Sequence, residues 1–122
     1  MAKIVFIEDE PALQKSLGDF LRSSGYEVMA ALNGEDGVAM VQKEHPDLVL
    51  LDVILPRMDG IEVLHAIRND PGIQATPVII LTNMETSETI EETVRLDAKA
   101  YLIKTSYSLD EVSEKVKSVL GS

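Results

Sequence analysis

The chain contains no cysteine, so neither a disulfide nor a thiolate metal site is available to it. No apolar run approaches the ~18 residues needed to cross a bilayer. Residues Met1 to Phe6 run straight into a strand-like pattern, with no basic segment ahead of an apolar one. No secretory leader is visible, and the expected compartment is the cytoplasm. Positive charge is also scarce: 11 Lys and Arg stand against 21 Asp and Glu, a net charge of −10. Such a chain repels phosphates and is not expected to bind nucleic acid by itself. Linkers, internal repeats and low-complexity segments are missing as well. One domain, 1–122, is therefore expected, long enough to bury a core without staples.

What is present is an alternation of strand-like and helix-like segments, repeated five times. Lys3 to Ile7 is a short apolar run ending in acids. Pro11 to Ser23 carries Leu13, Leu17, Phe20 and Leu21 on one helical face, and Gly25 follows where a left-handed residue ends a helix. Tyr26 to Ala31 reads as a second strand. Asn33 is placed to cap a helix over Gly34 to Glu44, which His45-Pro46 stops. Leu48 to Leu51 is apolar without alternation, the mark of a parallel strand covered on both faces. Asp59 and Glu62 have capping-box spacing ahead of Ile61, Leu64 and Ile67. Pro77 opens a fourth strand over Val78 to Leu81. A fourth helix, Ser87 to Leu96, has a thin apolar face of Ile90 and Val94. Ala100 to Ile103 is the fifth strand. Ser108 and Glu111 cap a last helix bearing Leu109, Val112, Val116 and Val119, closed by Gly121-Ser122 as a natural end would be. The pattern predicts an α/β fold with a parallel sheet between helix layers.

In open α/β sheets, ligands bind beyond the carboxyl ends of the strands. At those ends stand Glu8, Asp9 and Glu10, then Asp52, Thr82 and Lys104. Carboxylates gathered at one rim repel one another unless a cation sits among them. A hard divalent ion suits them, magnesium best, since it uses few carboxylates and keeps sites for water and phosphate oxygens. Lys104 offers a compact charge for a phosphoryl oxygen, and Thr82 a hydroxyl donor. Asp52 is then a carboxylate nucleophile poised to form an acyl phosphate. Each residue alone has an ordinary explanation as a turn or surface group. The case rests on all of them falling at strand ends together. His45 and His65 are too isolated for a metal site and read as surface residues.

These residues resemble the receiver domains of bacterial response regulators along essentially the whole chain. The matching pieces are Glu8-Asp9, Leu50-Leu51-Asp52 followed by Leu55 to Gly60, Thr82, and Tyr101-Leu102-Ile103-Lys104. The resemblance implies a flavodoxin-like sheet of order 2-1-3-4-5 with five helices. It implies phosphoryl transfer to Asp52 from a histidine kinase or a histidine phosphotransfer protein. Glu8, Asp9, Asp52 and the backbone carbonyl of Ile54 would hold Mg²⁺ or Mn²⁺. Thr82 and Lys104 would contact the phosphoryl group. Thr82 and Tyr101 would form a switch coupled to the face of helix four, strand five and helix five, which an output protein reads. The implied module is a monomer or a phosphorylation-dependent dimer, and it is not an enzyme with a turnover substrate. Tyr101 reads equally well as an amphipathic strand residue with its hydroxyl in water.

Several positions depart from the family pattern. Glu8 stands where Asp is commoner. Thr105 replaces the usual proline, which argues against a cis bond there and for a different loop path over Thr105 to Tyr107. Asp97 replaces glycine at the end of helix four, where it would take a strained left-handed conformation. Asn83 replaces a small residue beside the site, and Lys99-Ala100 an acidic pair. Ile54 and Met84 are apolar and cannot orient an attacking water, which predicts slow loss of phosphate. Two other readings are kept: a receiver piece of a longer regulator or hybrid kinase, and a small Mg-dependent phosphohydrolase. The second lacks an acid at Ile54. A nucleotide-binding flavodoxin-like protein is disfavoured, because acids rather than a glycine-rich loop follow the first strand.

Overall fold

Local chemistry sets the ends of each element. The computed structural model describes residues 1–121, and Ser122 lies outside the described residues. Asn33 accepts a hydrogen bond from the Asp36 amide at the start of its helix. Asp59 with Glu62, and Ser108 with Glu111, form reciprocal capping boxes. Gly25, His45, Asp97 and Gly121 all take positive φ at or just beyond helix ends.

The resulting order is β1 (Lys3–Ile7), α1 (Pro11–Ser23), β2 (Glu27–Ala31), α2 (Gly34–Glu44), β3 (Leu48–Leu51) and α3 (Gly60–Arg68). It continues with β4 (Val78–Thr82), α4 (Ser87–Arg95), β5 (Ala100–Ile103), a 3-10 turn (Lys104–Ser106) and α5 (Leu109–Leu120). The five strands form one parallel sheet in the order β2-β1-β3-β4-β5. Strand ends differ from the sequence reading by single residues: β2 begins at Glu27, and β4 runs on through Thr82.

Alternate strand residues feed two cores. Val5, Ile7, Val49, Leu51, Val78 and Ile80 pack with Val41, Val63, Leu64 and Ile67 of α2 and α3. Ile4, Phe6, Leu48, Leu50, Ile79 and Leu81 pack with Leu17, Leu21, Val112 and Val116 of α1 and α5. This double coverage explains why β3 and β4 lack alternation in sequence.

The fourth helix corrects one expectation. Val94 is 68% exposed, whereas Thr93 is the buried residue, with its hydroxyl donating to the Ile90 carbonyl at 2.8 Å. Thr93 can face inward because that bond satisfies its one polar group. No helix among the described residues is long and apolar enough to cross a membrane.

Candidate functional site

Four strand ends build the site. β1 delivers Glu8 and Asp9, β3 delivers Asp52, β4 ends on Thr82, and β5 leads into Lys104. Glu8 and Thr82 are fully buried, Asp52 is nearly so, and Asp9 is exposed at the mouth. Glu8, Asp9 and Asp52 each offer a carboxylate oxygen, and these three atoms lie within 4.8 Å of one another.

Lys104 sits among the acids. Its Nζ donates to Asp52 Oδ2 at 2.9 Å and stands 2.7 Å from Glu8 Oε1. The Glu8 contact is an ion pair lacking hydrogen-bond geometry, so Oε1 remains a buried oxygen without a directed donor. Glu8 Oε2 accepts from the Glu10 amide at 3.1 Å, and Asp52 Oδ1 accepts from the Ile54 amide at 3.0 Å. Burial pushes the Glu8 carboxyl up to about 7; Lys104 draws it down, and the Asp52 charge adds to the rise. For Lys104, burial works to remove the proton, but the hydrogen bond to Asp52 and the attraction of the Glu8 carboxylate outweigh it and the net shift is upward. The donor set is hard oxygen throughout and carries more negative charge than one ammonium offsets. It fits a hard divalent cation.

The backbone around Asp52 is held tightly. Gly60 donates to the Val53 carbonyl at 2.8 Å, and a Cβ at Gly60 would collide with the Asp52 carbonyl and with Val53. Glycine is therefore required at position 60, the first residue of α3, for a steric reason.

Thr82 and Tyr101 meet at the backbone of one residue, Met84. Thr82 Oγ1 accepts from the Met84 amide at 3.3 Å, while the Tyr101 hydroxyl donates to the Met84 carbonyl at 2.6 Å. The Tyr101 hydroxyl is thus bonded to protein. Burial, aided by the charges of Asp52 and Glu85, raises its pKa. Beyond Lys104 the chain turns through Thr105 and Ser106, and every peptide bond among the described residues is trans. Asp97 adopts φ 63°, the left-handed conformation expected of it. Ile54 is 52% exposed beside Asp52, Met84 is half-buried, and Asn83 is exposed.

Sequence reasoning missed two polar side chains that bond mainly to backbone. Gln14, on the inner face of α1, is buried against the ends of β1 and β2. Arg68, at the end of α3, reaches the carbonyls of Leu96, Thr76 and Gln74. Gln14 had one signal: it is polar at the i, i+3, i+7 spacing shared with buried Leu17 and Leu21. His65 is exposed as expected, although its ring also meets Glu92 at 3.0 Å.

Known proteins share this fold. The model of the response regulator receiver domain matches residues 4–117. Protein PilH of Pseudomonas aeruginosa is 35% identical over 104 residues, covering 85% of this chain and 86% of that protein. Sporulation initiation phosphotransferase F of Bacillus subtilis is 35% identical over 119 residues, covering 97% and 93% respectively. Against several other curated relatives the chain spans about half their length, as with the transcriptional regulatory protein CrdR of Helicobacter pylori (37% identical, 53% of that protein). Among solved structures, chemotaxis protein CheY4 of Vibrio cholerae superposes with a TM-score of 0.90 at 28% identity, covering 98% of both chains. A CheY-like receiver domain protein of Methanospirillum hungatei also reaches 0.90, at 30% identity over 99% of this chain and 94% of that one. With the sheet order, the acidic rim and these matches in agreement, the chain belongs to the response regulator receiver family.

Proposed function

We propose that this receiver accepts a phosphoryl group on Asp52 from a histidine kinase or a histidine phosphotransfer protein in the cytoplasm, and that residues 1–122 act as one unit in doing so. The supporting observation is the convergence of buried Asp52, buried Glu8 and Asp9 around a single ammonium, that of Lys104. An Asp52 oxygen bonds to phosphorus as the phosphorus–nitrogen bond of the donor's phosphohistidine breaks, and the imidazole leaves with the donor. Glu8, Asp9, Asp52 and the Ile54 carbonyl would hold Mg²⁺ or Mn²⁺, which when bound neutralises the acids and the incoming phosphoryl oxygens. Lys104 supplies a point charge to one phosphoryl oxygen, and Thr82 a hydroxyl to another. Receivers are signalling proteins rather than enzymes with a turnover substrate.

The output follows from the two hydrogen bonds on the Met84 backbone, one on its N–H and one on its C=O. A phosphoryl group that draws the Thr82 hydroxyl toward itself takes away the acceptor of the Met84 amide, and the Met84 carbonyl is the acceptor that holds Tyr101. Thr82 and Tyr101 thus bias the α4–β5–α5 face, which an output protein reads, as a monomer or a phosphorylation-dependent dimer. The self-reaction extends to self-dephosphorylation. Neither Ile54 nor Met84 can orient a water, so the phosphorylated form is expected to persist; a half-life of seconds would contradict this.

The deciding experiment treats the protein with Mg²⁺ and a small phosphodonor and reads intact mass. The wild-type chain should gain one phosphate, and Asp52→Asn should gain none. Equal labelling of the variant would refute the assignment of Asp52.

A further inference from the structure

The structure points to a residue of this site that touches neither phosphate nor metal: we infer that Gln14 is a positioning residue for the Glu8–Asp9 pair and sets the affinity of the acidic rim for its cation. The inference rests on the cation-dependent reading of the site given above.

Gln14 is 7% exposed, on the face of α1 that also buries Leu17 and Leu21. Its Nε2 lies 2.9 Å from the Phe6 carbonyl, 3.0 Å from the Glu8 carbonyl and 3.0 Å from the Ala31 carbonyl. All three neighbours are acceptors, so the amide nitrogen must face them. Its Oε1 is buried and has no hydrogen-bond partner. A buried acceptor left unmade is costly, and a side chain needed only to fill space there would be apolar. The retained amide therefore points to a use for its N–H groups.

That use lies at the point where β1 stops and the acids begin. The last β1–β2 pair is Ile7 with Ala31. Beyond it, the Glu8 amide donates to the Ala31 carbonyl at 3.0 Å, while the Glu8 carbonyl is held by Gln14. Glu8 is thus fixed at both its N–H and its C=O. The peptide plane joining Glu8 to Asp9 sets the direction of both side chains. One carboxylate turns inward to full burial and the other stays at the mouth, yet both come within 4.8 Å of an Asp52 oxygen. A loop free to rotate about that plane would not hold this convergence. Groups that hold ligands, rather than the metal, commonly govern affinity.

The test is calorimetric titration of the full chain with MgCl₂. Gln14→Met keeps length and removes the donors, and its dissociation constant for Mg²⁺ should rise about tenfold. At saturating Mg²⁺ the rate of Asp52 labelling by a small phosphodonor should return to near the wild-type rate, because Gln14 does not contact the reacting groups. Val116→Ala, in the core between α5 and the sheet, supplies a control for loss of stability and should leave Mg²⁺ affinity unchanged. Should Gln14→Met fail to fold, Gln14→Asn withdraws the amide by one methylene and should weaken Mg²⁺ similarly. Unchanged affinity in the folded Gln14 variant overturns the inference, as does an equal loss in Val116→Ala. Absence of Mg²⁺ binding by the wild-type protein would instead overturn the cation-dependent reading, and this inference with it.

Discussion

Glu8 meets two opposing demands. It must be charged to hold a cation, yet it is fully buried beside a second carboxylate. Burial raises its carboxyl from an ordinary 4.5 to about 7, with Lys104 opposing and Asp52 reinforcing the shift. The consequence for stability has a definite sign. Between those two values the native state binds a proton that the unfolded chain has released, so folding is favoured at the lower pH. In a chelator-containing buffer, the urea midpoint should fall as pH rises from about 5 to 7.5. Glu8→Gln, neutral at every pH, should flatten that slope; an unaltered slope would assign it to other groups. Glu8, Asp9, Asp52, Thr82 and Lys104 were legible in the sequence because a parallel sheet sends all its strand ends to one rim. Gln14 and Arg68 were not, since their partners are backbone carbonyls, which have no sequence signature of their own.

Among the elements, α4 is the least committed to the core. It buries Thr93 and leaves Val94 in solvent, and it carries Glu88, Glu91 and Glu92 along its length. Its position in the sequence was clear from the Pro77 strand and the Asp97 stop, but its inner face was not. In a nine-residue helix, one buried threonine outweighs the apolar periodicity that longer helices display. What fastens α4 is α3. Arg68 Nε donates to the Leu96 carbonyl at 2.7 Å, beyond the last turn of α4, and Nη1 donates to Thr76 at 2.7 Å and Gln74 at 3.0 Å. His65 and Arg95 hold the Glu92 carboxylate between them. These latter pairs are exposed and contribute little. Arg68 is the stronger tie, because its guanidinium is half-buried and serves four carbonyls, those of Leu96, Gln74, Thr76 and Asp97, that would otherwise lose a donor. Arg68→Met should cost about 2 kcal/mol in urea unfolding. Arg68→Lys should recover less than half of that, because one ammonium cannot reproduce the spread of the guanidinium donors. Full recovery by lysine would mean that charge, not geometry, fastens α4. Among the described residues, no side chain from another element bonds to the N-terminal end of the helix, which is the end nearest Thr82 and Met84 in the chain.

At the scale of the molecule, two cores on either face of the sheet carry stability, and the carboxyl rim spends some of it. A net charge of −10 surrounds a rim where three carboxylates meet one ammonium. Self-repulsion of this kind destabilises the compact state until a cation arrives. Asp9 isolates the effect best: it is exposed, and its carboxylate lies within 4.8 Å of carboxylate oxygens of Glu8 and Asp52. Asp9→Asn removes one charge from that group with almost no change in shape. In a chelator-containing buffer the variant should be more stable than wild type by about 0.5 kcal/mol, the scale of an exposed like-charge contact. Ligand binding stabilises the native state in proportion to the logarithm of one plus the ratio of free ligand to its dissociation constant. With several millimolar Mg²⁺ the order should therefore reverse, because wild type gains from binding and the variant gains less. Urea unfolding of both proteins with and without Mg²⁺ reads the crossing directly. If the variant stayed more stable at every Mg²⁺ concentration, Asp9 would be a surface acid. If it were less stable even without Mg²⁺, the rim would be held by attractions that these contacts do not contain.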